Sequence, residues 1–271
     1  MQTRAATPDD YVGFCGFWRE LGLEDAPPPR ERWIAQLMPS TLFIADGTTL
    51  AAYGLSFGFG ARGDVRQIAV DSRYRRRGVG RAMMAAVATR LRAAGCADWR
   101  LEVRARNAAA RALYRAVGMR ELHELHIVRI ATADAMKLAA TCSGRHAARV
   151  VAPDDDAALE AAHDLGRGQI ERWRSIRPHC PILRVGELGL TQVRPDHTED
   201  LALLFPFRAA DADVAATLLA YALPLSAPTI EIVALGRTLA APLIGAGAKP
   251  HDLQIEMGGA IPAAASGATS P

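Results

Sequence analysis

At 271 residues the chain is long enough for one large or two ordinary domains, each with its own core. Hydrophobic residues make up 50% and charged residues 23%, the balance of a soluble globular protein, and a net charge of +3 is too small to argue for a nucleic-acid partner. No apolar run approaches the roughly 20 residues that span a bilayer, and Met1-Gln2-Thr3-Arg4 lacks the apolar stretch of a signal peptide, so no membrane partner is expected.

In chain order, Thr3–Ala6 reads as extended, and Pro8-Asp9-Asp10 starts a helix through about Leu21. The three prolines within Asp25–Arg30 make a stiff connection. A helix at Arg32–Leu37 precedes a hairpin, Thr41–Asp46 and Leu50–Phe59, that turns at Gly47. Val65–Val70 is a strand, Gly80–Ala94 an alanine-rich helix, and Trp99–Val103 a strand. Asn107–Val117 is a helix closed by Gly118, which suits a left-handed cap, and a strand pair over Glu121–Ile130 ends this unit. Cys15, Cys96, Cys142 and Cys180 are far apart and form no CxxC pair, so reduced thiols in a cytoplasmic protein are expected. His123 and His126 have no second pair of ligands near them in sequence, and no metal is expected.

The second half repeats the first in weakened form. Arg4-Ala-Ala-Thr-Pro8-Asp9-Asp10 returns as Arg149-Val-Val-Ala-Pro153-Asp154-Asp155, and Glu31-Arg32-Trp33 as Glu171-Arg172-Trp173. Leu101-Glu102-Val103 returns as Ile230-Glu231-Ile232, which places Gly118 on Gly247 without a gap. The expected layout is a catalytic domain over 1–133, a linker over 134–147, a degenerate second copy over 148–258 and a disordered tail over 259–271, rich in Gly, Ala, Ser and Pro from Gly258 onward.

The segment Gln67-Ile-Ala-Val70-Asp-Ser-Arg-Tyr-Arg75-Arg-Arg-Gly78-Val-Gly80-Arg81 carries the chemistry. An apolar strand runs into a basic, glycine-containing turn that opens a helix. The first N–H groups of a helix lack intrahelical partners, and its dipole is positive at the same end. Gly78 and Gly80 let backbone approach a ligand, and the arginines add charge, which together make a pyrophosphate site. The turn has neither the Gly-Lys-Ser/Thr of a Walker loop nor a dinucleotide GxGxxG.

Arg75-x-x-Gly78-x-Gly80 resembles the [Gln/Arg]-x-x-Gly-x-[Gly/Ala] signature of the GNAT N-acetyltransferases, and Leu101-Glu102-Val103-Arg104-Ala105-Arg106-Asn107 through Leu113-Tyr114 to Gly118-Met119 resembles that family's second block. The resemblance covers roughly residues 1–130 and is nearest to the ribosomal-protein-alanine N-acetyltransferases. It implies an α/β fold, a mixed sheet with flanking helices that splays open between the strands at Val65–Val70 and Trp99–Val103. With the repeat, it implies two tandem GNAT-like domains. It also implies acetyl-CoA as cosubstrate. Backbone groups of Ile68, Ala69 and Val70 would meet the pantetheine arm, the turn Arg75, Arg76, Arg77, Gly78, Val79, Gly80 and Arg81 the pyrophosphate, and Asn107 the pantetheine portion.

The implied reaction is direct attack of a primary amine, on a small molecule or a protein N-terminus, on the thioester. Tyr114 is the candidate acid; the alternative is a core tyrosine packed like Leu113. Glu102 is the candidate base, on a strand where Leu101 and Val103 face the core, and partial desolvation would raise its pKa. The alternatives are a solvent-facing glutamate, or a water relayed from Asp64 or Gln67. Leu21–Arg30 and Glu121–His126 are the expected substrate loops. An acyl-CoA-binding module without turnover is the rival reading. In the second copy, aligning Met83-Met84 with Leu218-Leu219 sets Asp213 opposite Gly78, Asp211 opposite Arg76 and Ala210 opposite Arg75, so that half is not expected to bind a pyrophosphate.

Overall fold

The structure, a computed structural model, describes residues 1–22, 26–198, 200–223 and 227–263. It divides into two compact units, each discontinuous in sequence. The first takes Met1–Leu101, Ala108–Arg120 and the stretch from Met257; the second takes Glu102–Asn107 and Glu121–Glu256.

The first unit runs β1 (Gln2–Ala5), α1 (Tyr11–Glu20), α2 (Arg30–Gln36), β2 (Thr41–Asp46), β3 (Thr49–Phe59), β4 (Arg62–Val70), α3 (Val79–Ala93), β5 (Asp98–Arg104) and α4 (Ala108–Ala116). The strands lie in the order β1-β2-β3-β4-β5, antiparallel up to β4 and parallel between β4 and β5. Successive residues of a strand face opposite sides, and Tyr53 and Gly54 divide the core in this way. Tyr53 packs with Phe14 and Phe17 of α1, Trp33 of α2 and Phe43 of β2. Gly54 faces α3, where Met83 Sδ would lie 2.7 Å from a Cβ at that position.

The second unit contains β6 (Arg120–Ala131), α5 (Thr132–Ala139), β7 (Arg149–Val150), α6 (Asp156–Ala162), α7 (Gln169–Ile176), β8 (Ile182–Val185), β9 (Gly189–Thr198), β10 (Leu201–Ala209), α8 (Ala212–Ala222), β11 (Thr229–Leu235), α9 (Arg237–Gly245) and most of β12 (Lys249–Ala260). Its order from β6 is β6-β11-β10-β9-β8-β7, with β10 and β11 parallel. One core packs α5, α8 and α9 on the sheet, and a smaller one gathers Leu159 of α6 and Ile170 of α7 with Ile182 and Leu190.

The repeat is visible in bonds as well as in sequence. Arg4 donates twice to the Asp10 carboxylate at 2.7 Å, and Arg149 donates to Asp155 at 3.1 Å. Asp10 also accepts from Thr7 N–H, as Asp155 accepts from Ala152 N–H. At the other end Met119 N–H bonds Tyr114 C=O and Gly118 N–H bonds Arg115 C=O; Ala248 to Leu243 and Gly247 to Ile244 repeat the pattern. Both are Schellman closures, with left-handed glycines at φ +91° and +104°.

Two expectations change. Residues 121–130 form part of one long strand rather than a pair, and that strand pairs with β11 from Leu125 to Ala131. Gly258, Gly259 and Ala260 are strand, not tail, while 264–271 lie outside the described residues. Of the proline-rich connection, Leu23–Asp25 lie outside them as well. Among the described residues no helix is long and apolar enough to cross a membrane.

Asp10 is buried, and the Arg4 guanidinium with the Thr7 donors holds its carboxyl down at about 2. Its stabilisation is therefore present above the ordinary carboxyl value of about 4 and fades as pH falls through about 2. Asp10→Asn should cost about 1–3 kcal/mol near neutral pH. In urea unfolding, that difference from the parent should close as the pH approaches about 2.

Candidate active site

The ladder between β4 and β5 pairs Arg62–Asp64 with Asp98–Arg100 and then ends. On its other side β4 stays paired with β3 to Val70, but the register shifts so that Arg66 has no residue opposite it. Such a bulge bends the strand, and here it sits where β4 parts from β5. Ile68, Ala69 and Val70 follow on the opened edge. Gln67 is fixed by the buried Tyr53, whose hydroxyl donates to Oε1 at 2.7 Å.

The turn after β4 is built by its own charges. Asp71 accepts from Arg73 N–H at 2.8 Å and from the Arg73 guanidinium, which holds its carboxyl at about 2. Arg75 Nε donates to Val70 C=O at 2.9 Å, and its Nη2 reaches Glu20 at 3.3 Å. Arg77 lies over the Tyr74 ring. Arg76 and Gly78 are left-handed, at φ +62° and +80°. Left-handed residues among right-handed ones turn successive N–H groups to one side and form an anion-binding nest. A left-handed arginine is strained, and such strain is characteristic of functional turns. Gly78 caps α3 without a side-chain bond, so the first N–H groups of that helix are left for a ligand. Arg76 and Arg81 are exposed, and neither has an ion-pair partner among the described residues. Val79 is buried beneath the turn.

Gly80 joins this turn to α4. A Cβ there would lie 3.1 Å from Leu113 Cδ2 and 3.7 Å from Val70 Cγ2. The end of β4, the first turn of α3 and the residue before Tyr114 therefore meet. Tyr114 is buried, which pushes its phenol up to about 12, and its hydroxyl has no hydrogen-bond partner among the described residues. Glu102 is exposed between buried Leu101 and Val103, so the burial expected to desolvate it is absent. Asn107 precedes α4, with its N–H bonded to Arg104 C=O at 2.8 Å. Both belong to the segment Glu102–Asn107, which groups with the second unit. The stretch 121–126 is strand, not a loop. Asp71 and Tyr53 belong to no motif in the sequence, although an Asp closing a strand before Ser-Arg is a turn cue for the first.

The second copy differs at several of these points. Its β10–β11 ladder continues from Leu201–Thr229 to Phe207–Ala234, past a register shift of its own between Leu204 and Phe207. Asp211 caps α8, accepting from Val214 N–H at 2.9 Å. This aligns Asp211 with Gly78, two residues from the alignment that set Asp213 there. Asp213 instead binds Ser143 N–H and hydroxyl, each at 2.6 Å. Glu231, the counterpart of Glu102, accepts from Arg129 at 2.8 Å.

Residues 8–119 match the model of the acetyltransferase (GNAT) family. This segment, less than half of the chain, is similar to the acetyltransferase domain of that family. A putative acetyltransferase from Pyrococcus horikoshii superposes with a TM-score of 0.65 at 17% identity, covering 96% of this chain and 89% of that one. A tandem GNAT protein from the clavulanic acid biosynthesis pathway superposes with a TM-score of 0.60 at 15% identity, covering 96% of both chains. Both likenesses concern the fold, and the second extends it to a tandem arrangement. The ribosomal-protein-S18-alanine N-acetyltransferase of Escherichia coli is 25% identical over 46% of this chain and 81% of that one, but its TM-score of 0.39 carries no argument about substrate. No curated protein matches the chain.

Gly80→Glu places a bulky anion at the anion-binding turn and should abolish acetyl-CoA binding by titration calorimetry while the protein stays folded. Retained tight binding would contradict the placement of the turn.

Proposed function

We propose that the first unit is an acetyl-CoA-dependent N-acetyltransferase acting on a primary amine. The observation that carries it is the opened edge of β4 running into an uncapped, arginine-flanked helix start, with Tyr114 buried nearby. This arrangement fits acyl-CoA. The edge at Ile68, Ala69 and Val70 offers backbone groups to an amide-bearing arm. The nest over Arg75–Arg81, with Val79 packed beneath it, offers N–H groups and charge to a pyrophosphate, and Asn107 serves the pantetheine portion. When bound, the thioester supplies an activated acetyl group and a thiolate leaving group.

Tyr114 holds its proton throughout the physiological range, since burial sets its phenol at about 12. An ordinary thiol ionises near about 8.5, so full proton transfer from Tyr114 is uphill. Its part is a hydrogen bond to the negative charge that develops on sulfur, the kind of preorganised donor that stabilises a transition state most. Glu102 takes the amine proton, directly or through water. Its exposure suits an acceptor that needs little help: an α-amine, with a pKa near about 8, is roughly a tenth neutral near neutral pH, whereas a lysine at about 10.4 is almost wholly charged. We therefore favour an α-amine, on a protein, peptide or small molecule. The four free cysteines accord with reaction in the reducing cytoplasm.

The test is thiol release from acetyl-CoA across a panel of amines. Turnover with at least one α-amine is expected. Binding with no turnover across the panel would instead establish a non-catalytic acyl-CoA module. Tyr114→Phe should lower kcat roughly 10²-fold with little change in acetyl-CoA affinity; an unchanged rate would remove Tyr114 from the mechanism.

A further inference from the structure

The chain's last strand is fastened into the first unit. Met257 is fully buried, Ile261 is buried with its N–H donating to Ala97 C=O at 2.9 Å, and the Arg92 guanidinium donates to Pro262 C=O. Between these anchors Gly259 crosses the turn that ends α4. A Cβ at Gly259 would stand 2.9 Å from Gly118 O, 3.8 Å from Gly118 C and 3.7 Å from Met119 Cα. A contact that short, against backbone, is not relieved by a change of rotamer, so strand or turn must move.

The atom it would strike is tied to Tyr114. Gly118 C=O and Met119 N–H are the two sides of one planar peptide. That N–H closes α4 by donating to Tyr114 C=O at 3.1 Å. Pushing the carbonyl therefore displaces the donor that fixes the backbone of Tyr114.

We propose that Gly259 is a positioning residue for Tyr114, and that the C-terminal strand is thereby a working part of the first unit. The proposal rests on the reading of Tyr114 as the hydrogen-bond donor.

The test is a double-mutant cycle on the full chain. Gly259→Ala should lower kcat about tenfold or more, as small misplacements of a reacting group do, with acetyl-CoA affinity unchanged. In the Tyr114→Phe background the same substitution should cause no further loss. Gly245→Ala, whose Cβ would meet nothing within 4 Å, is the control and should alter neither quantity. An unaltered kcat in Gly259→Ala, or an equal fold-loss in both backgrounds, overturns the proposal. Should Gly259→Ala not fold, Ile261→Ala loosens the same strand without a clash and should give the same non-additive loss; an additive one overturns it. If Tyr114→Phe leaves the rate unchanged, the reading of Tyr114 has failed, and the mechanical coupling is judged alone by hydrogen exchange at Met119 N–H. Faster exchange in Gly259→Ala supports it, and unchanged exchange overturns it.

Discussion

Where β4 leaves β5 after Asp64, backbone donors and acceptors that a sheet would pair are left facing outward. Such groups require a partner, whether water or ligand. The Arg66 bulge lies just past the parting, and the sequence after it is charged rather than apolar. Asp71 fixes Arg73, Arg75 satisfies Val70 C=O, and the two left-handed residues aim the turn. Split strand, left-handed turn and uncapped helix start follow one another along the chain.

The second copy shows what the same framework becomes when that demand is removed. Its ladder is zipped, its helix start is capped by Asp211, and Glu231 is held by Arg129. The closures at its ends remain. Arg149–Asp155 reproduces Arg4–Asp10, and the Leu243–Gly247 turn reproduces Tyr114–Gly118. The two copies thus share their terminal closures and differ at the start of the central helix. β6 pairs with β11 within the second unit, and the stretch from Met257 groups with the first.

Much of this was legible in the sequence because it is local. Gly118 after a helical run foretells a left-handed closure, Pro8-Asp9-Asp10 a helix start, and Arg75-x-x-Gly78-x-Gly80 a glycine-containing turn opening a helix. The single strand at 120–131 was not legible as such, since alternation gives the faces of a strand and not its neighbour. Gly258 and Gly259 looked like tail because composition is blind to a crossing that only glycine permits. Glu102 was expected to be desolvated because its neighbours are apolar, yet Leu101 and Val103 take the core side and leave it exposed. In the second copy the sequence suggests carboxylates facing a phosphate; in the structure Asp211 instead accepts from Val214 N–H at the start of α8.

The central claim is that one copy holds acyl-CoA and the other cannot. Titration of the full chain with acetyl-CoA, followed by hydrogen exchange of the complex, tests it most directly. One equivalent per chain is predicted, with protection over residues 68–81 and none over 202–215. A second equivalent, or protection centred on β10 and the start of α8, would contradict the account.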